Sequence, residues 1–246
     1  VRRVWFIVLI TALAVAAAAP VVAQRWYGQR LPRAVDYDGR FVFVRLWYAD
    51  YPGWSYDWPD TEENLGRLLP QITAIDTHPG NGNILRMDDP ELLKYPIAYL
   101  SEPGFWFPSD DEAAGLRRYI EKGGFLIVDD FHYRNEWMVF ERAMRRVLPD
   151  ARIDQLDITH PVFNSFFEIK SLDVPYPGRL GEMGLKGEFY GIHEDGDPTR
   201  RLMVVINYNM DIGDYMEWSA TGLYAVSPTN EAYKFCINYL IYGLTH

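Results

Sequence analysis

The sequence predicts an α/β domain: a three-layer sandwich with a central, mostly parallel sheet. Three observations predict it. Strand-like runs alternate with amphipathic helical runs through the first 150 residues. The run Phe-Leu-Ile-Val at 125–128 is apolar on both faces, as a strand covered by helices on either side must be. A last long helical run follows the strongest strand, at 201–208.

The elements follow in order. Residues 41–48 form a β-rich, partly alternating run. Leu65, Leu68, Leu69 and Ile72 recur at helical spacing and predict a helix over 61–74, broken or kinked at Pro70. Gly80, Asn81, Gly82 and Asn83 read as a turn, and 95–100 is a short apolar strand. Ser109-Asp110-Asp111-Glu112 is a capping box with acids in the first turn, ahead of Leu116, Tyr119 and Ile120. Gly123-Gly124 stops that helix, and 125–130 is a buried strand. Residues 135–147 are helical, with Trp137, Phe140, Met144, Val147 and Leu148 on one face. A short aromatic segment opens at His160, where a structural hydrogen bond is expected, and 175–187 is rich in Gly and Pro. The closing helix spans 228–244, with Ser227 as N-cap and Pro228 at the first helical position.

Ahead of the domain, 1–23 read as a secretory signal peptide: Arg2 and Arg3, an apolar stretch, then Val21 and Ala23 at the cleavage positions. Residues 24–40 are an irregular lead-in and 41–246 a single α/β domain. The expected address is exported and periplasmic. The rival is an uncleaved inner-membrane anchor, although 4–19 falls short of the ~20 apolar residues a spanning helix needs. Either way the domain lies outside the cytoplasm, and contact with the membrane is expected only through an uncleaved leader.

Losing Arg2 and Arg3 with the leader takes the formal charge from −10 to −12, and no Lys/Arg run offsets it. Such a surface repels phosphate backbones, so nucleic-acid binding is disfavoured. Cys236 is the single cysteine, which rules out a disulfide within the chain. It sits among Ala232, Phe235, Tyr239 and Leu240 at helical spacing and reads as core.

Ligands of open α/β sheets bind beyond the carboxyl ends of the strands. That rule gathers Tyr48 and Asp50 after the first strand, Glu102 after the second, Asp129, Asp130 and His132 after the third, and Asn207, Asn209 and Asp211 after the last strong one. Glu102, Asp130 and His132 are the candidate catalytic groups, since a carboxylate and an imidazole on one side of a strand form an acid–base pair. The competing reading has Asp129 or Asp130 capping the next helix. Trp54 and Trp58 lie in an aromatic, Asp-containing loop that either stacks on a sugar or folds down as a lid. The sequence supplies neither a full set of metal ligands nor a phosphate-binding loop, so no metal and no cofactor are expected. Asn209 to Asp214 only faintly follows a calcium loop. The expected partner is a small molecule, a glycan or an envelope protein.

Glu102-Pro103-Gly104, the Ser109–Glu112 cap, Gly123-Gly124-Phe125-Leu126 with Asp129-Asp130, and His160-Pro161-Val162-Phe163 resemble the bacterial domain of unknown function 4159. Asn207-Tyr208-Asn209-Met210-Asp211, Gly213-Asp214 and Trp218 fit the same pattern. The resemblance implies a class I glutamine amidotransferase-like, flavodoxin-type fold and no particular reaction. Glutamine hydrolysis by the usual route needs a cysteine on the strand-to-helix turn, and the turn at 101–105 has none.

Overall fold

Seven strands hydrogen-bond into one sheet in the order β2-β1-β3-β4-β7-β6-β5. They are β1 Val44–Trp47, β2 Asn83–Arg86, β3 Ile97–Ser101, β4 Phe125–Phe131, β5 Asp154–Gln155, β6 Glu188–His193 and β7 Leu202–Tyr208. The first five in spatial order are mutually parallel, and β6 pairs antiparallel with both its neighbours. The parallel part follows the doubly wound order in which chain direction across the sheet reverses between β1 and β3. This computed structural model describes residues 35–49, 51–78 and 82–246. The leader, most of the lead-in, Asp50, and Gly80 and Asn81 of the expected turn lie outside the described residues.

Among the described residues six α-helices accompany the sheet: α1 Asp60–Ile72, α2 Asp110–Glu121, α3 Tyr133–Val147, α4 Arg179–Glu182, α5 Ile212–Glu217 and α6 Val226–Thr245. Side chains alternate across a strand. Phe125 and Ile127 therefore join Leu65, Leu69, Tyr215, Phe235 and Tyr239 of α1, α5 and α6 in one core. Leu126 and Val128 point to the other face, which α2 and α3, packed on each other, cover. Every residue of β4 is buried, which is why its sequence is apolar without alternation. The three layers expected from the sequence are present. Cys236 is buried in the α6 core as expected, and burial pushes its thiol pKa up.

Local chemistry explains the boundaries. The capping box on α2 forms: Ser109 accepts from the Glu112 N–H, and the Glu112 carboxylate accepts from the Ser109 N–H. Helix α1 runs two residues past Pro70. The carbonyl of Gly66, which Pro70 cannot serve, receives the Thr77 hydroxyl at 3.5 Å. His160 accepts the Val162 N–H at 3.2 Å through Nδ1, the structural bond its place before Pro161 suggested. The start of α6 is a correction. It begins at Val226 after Ala225, which makes no side-chain cap, so Ser227 lies inside the first turn. Pro228 is accommodated there because first-turn N–H groups have no intrahelical acceptor.

Candidate functional site

Strands β1, β3, β4 and β7 end on the same side of the sheet, and their continuations carry most of the buried acids. Five non-glycine residues among those described have positive φ, and four of them sit here: Glu102 (54°), Asp130 (60°), Tyr133 (60°) and Asn209 (52°). The left-handed region costs an ordinary residue about 1–2 kcal/mol. Such strain persists where surrounding structure imposes it, and it concentrates at functional sites. At Asp130 it coincides with a register shift between β4 and β7, between Val128 and Phe131. The shift turns Asp130 out of the ladder, while its N–H still donates to the Met210 carbonyl at 3.1 Å.

The neighbouring residues Asp129 and Asp130 meet opposite fates. Asp129 is fully buried. Its Oδ2 accepts the Tyr99 hydroxyl at 2.7 Å and the N–H groups of Ile212 and Gly213 at 2.8 and 3.0 Å. Its Oδ1 accepts Asn207 Nδ2 at 3.0 Å, and Asn207 Oδ1 in turn accepts the Tyr239 hydroxyl at 2.8 Å. Burial lifts the Asp129 pKa to about 6 against these bonds. The network anchors the start of α5 to the sheet.

Asp130 instead joins Asp57 and Asp211. Each of these three buried carboxylates brings an oxygen within 4.8 Å of the others. Asp57 leaves the 3-10 turn Pro52–Ser55 just before α1, and its carbonyl accepts the Thr61 N–H at 3.1 Å. Asp211 is the N-cap of α5, accepting the Asp214 N–H at 2.7 Å. Asp130 receives only long bonds, at 3.3 Å from both the Ser101 and Tyr176 hydroxyls. Burial first, then the other carboxylates, pushes the pKa of both Asp130 and Asp211 well above the usual range. Glu102, beside them, is raised to about 8 by burial and then by Glu136.

One guanidinium approaches this group. Arg45 on β1 is fully buried, with Nε 2.6 Å from Glu62 Oε1 and Nη1 2.9 Å from the Trp54 carbonyl. Its Nη1 lies 3.5 Å from Asp57 Oδ2, an ion-pair distance without hydrogen-bond geometry. Burial works against its charge, yet Glu62 and Asp57 hold its pKa above the ordinary value. Gly213 completes the floor. A Cβ there would stand 2.5 Å from Asp57 Oδ2 and 2.8 Å from the Tyr99 hydroxyl, so only glycine fits.

The strand-end rule thus brings Glu102, Asp130 and Asp211 together. Other predicted residues have structural partners. Tyr48 is buried and donates to the carbonyls of Ser101 and Glu102, fixing the turn after β3. Asn207 belongs to the Asp129 network. Asn209 accepts the Tyr133 N–H and donates to Glu188, both at 3.0 Å. Trp54 is buried and Trp58 half-buried, so the aromatic loop packs its tryptophans inward. Neither Asp129 nor Asp130 caps α3; His132 is its N-cap residue, with its N–H bonded to Glu136 Oε2 at 2.7 Å. The His132 ring stands 3.6 Å from Glu136 and against Tyr176, so it reaches Asp130 only through that tyrosine. Asp50 lies outside the described residues.

Sequence reasoning named Asp57 only as one acid of the aromatic loop, set Ser101 aside as a nucleophile, and did not select Tyr176 or Arg45. Asp57 and Tyr176 come from loops with no periodic signal. Arg45 alone carried a clue, a charge inside a strand buried on both faces. The aromatics beside the acids are also different ones: half-buried Tyr51 stacks on exposed Phe105 at 4.3 Å and meets exposed Tyr56 edge-on at 5.9 Å. Glu102 and Asp130 lie close enough to raise the Tyr51 pKa, after burial and Tyr56.

Fold and site together define an α/β sandwich with a cluster of buried carboxylates at its strand ends. The sequence profile of the family described as Domain of unknown function (DUF4159) matches residues 42–244, and the chain belongs to that family. No curated protein matches the chain.

Proposed function

We propose that this chain is an exported ligand-binding domain that takes a polyhydroxylated ligand, such as an envelope glycan, into the strand-end crevice. One observation carries the reading: Asp57, Asp130 and Asp211 each bring a carboxylate oxygen within 4.8 Å of the others, with Glu102 close enough to act on Asp130 and Arg45 beside Asp57. Buried carboxylates without full compensation are costly and bind strongly to whatever supplies donors or positive charge. The Tyr51–Phe105 stack beside them offers the flat apolar face that a sugar ring packs on. The leader at 1–23 would deliver the domain to the periplasm, where such ligands occur.

Calorimetric titration of peptidoglycan fragments and soluble glycans into the purified chain tests this. Saturable binding is expected, weakened at least tenfold by Asp130→Asn and by Tyr51→Ala. Binding unaffected by both variants would contradict it. A hydrolytic reading rests on the close approach of Asp130 and Asp211, two buried carboxylates whose mutual repulsion favours keeping a proton on one of them, as a general acid does. Turnover of those same fragments, abolished by Asp211→Asn, would favour it.

A further inference from the structure

We infer that the floor of the crevice is a site for one hard divalent cation of the calcium type, ligated by Asp57, Asp130 and Asp211; the inference deepens the ligand-binding reading and rests on it. The ligand atoms are all carboxylate oxygens, with no imidazole or thiolate among them. That set suits calcium or manganese rather than zinc or copper. Two oxygens on one calcium at 2.3–2.6 Å can stand up to about 5 Å apart, and the three oxygens here lie within 4.8 Å of one another.

A second observation is independent of the clustering. Asp57 is 4% exposed, yet its Oδ2 accepts no hydrogen bond. Buried carboxylate oxygens are ordinarily satisfied, and an orphan of this kind needs an explanation. Arg45 reaches it only as a charge, with Nη1 3.5 Å away, because its Nε and Nη1 hydrogen bonds go to Glu62 and Trp54. The oxygen lies beside Gly213 and Asp211: a Cβ on Gly213 would sit 2.5 Å from it and 3.5 Å from Asp211 Oδ1. The absent side chain of Gly213 keeps that corner clear. A cation would complete Asp57 and offset the mutual repulsion of the three carboxylates. Its remaining coordination positions would face the crevice, where Glu102 and the hydroxyls of a glycan could fill them.

The experiment uses the chelator-treated chain with Ca2+, Mn2+ or Mg2+ as the only probe, followed by calorimetry and thermal unfolding. The inference expects one Ca2+ or Mn2+ per chain, a rise in Tm on binding, and at least tenfold weaker affinity in Asp57→Asn and in Asp211→Asn. Asparagine is itself a good N-cap, so Asp211→Asn keeps the start of α5. Asp111→Asn, on the exposed first turn of α2, should bind like the unaltered chain. No saturable cation binding, or binding indifferent to Asp57→Asn, overturns the inference. Glycan titrations run in chelator separate the two readings. Glycan binding that persists there and still depends on Asp130 sinks the cation and leaves the ligand reading standing. Cation binding with no glycan binding does the reverse.

Discussion

The two ends of the sheet treat their buried polar groups differently. At the amino end of β7, His193 and His160 face each other with Nε2 atoms 3.2 Å apart. His160 Nδ1 accepts the Val162 N–H, so its proton sits on Nε2 and points at His193. Arg201 closes the same end by donating to the carbonyls of Ile120, Gly123 and Gly124. His160 and Arg201 find backbone partners close in space, and His193 Nδ1 alone is left without one. At the carboxyl end, Asp57, Asp130 and Asp211 gather on a strained backbone beside Arg45, which also serves Glu62. There the contrast recurs between neighbours: Asp129 is held by four hydrogen bonds, while Asp130 beside it has only long ones. Burial with partners stabilises, burial without them stores the capacity to bind.

The largest effect should come from removing the single compensating charge. Arg45→Met leaves Glu62 and Asp57 buried and unpaired, and should cost about 3–5 kcal/mol in denaturant unfolding or prevent folding. Next is Asp129→Asn. Its amide would turn a donor toward groups that are themselves donors, at a cost of about 2–3 kcal/mol.

The histidine end gives a smaller, pH-dependent effect. Burial, then His193, lowers the His160 pKa from 6.5 to about 4. Above pH 6.5 the ring is neutral in both folded and unfolded chains. As pH falls toward 4 the unfolded chain takes up a proton that the folded one refuses, so stability declines over that window. After discounting for the partial exposure of His160, its contribution of about 1–2 kcal/mol should disappear between pH 6.5 and 4. The raised carboxylates act with the opposite sign, so the test is the difference: the unaltered chain should lose that amount relative to His160→Asn over the window, and a constant difference would place the proton uptake elsewhere.

Much of the fold was legible in the sequence because apolar periodicity is a local property. β3, β4, β7 and the four long helices all announce themselves that way. β2 and β5 are only four and two residues long, too short for any period to register. β6 mixes Gly191 and His193 into its run, and its antiparallel pairing with β7 has no local sign. The site divides along the same line. Glu102, Asp130 and Asp211 follow strands and could be found by the strand-end rule. Asp57 and Tyr176 arrive from distant loops, and nothing in their own neighbourhoods records the meeting. The bulge after Val128 also defeats simple alternation, which could not show that Asp129 turns inward while Asp130 faces the crevice.

Side-by-side unfolding and ligand titration of Asp130→Asn and Asp129→Asn test the central contrast most directly. Asparagine tolerates the left-handed backbone at 130 and removes a repelled charge. Asp130→Asn should therefore stay within about 1 kcal/mol of the unaltered chain or gain stability while binding is lost, the trade expected of a functional group. If Asp130→Asn destabilises the domain as much as Asp129→Asn does and binding survives, the acids at the strand ends are scaffold and the account is wrong.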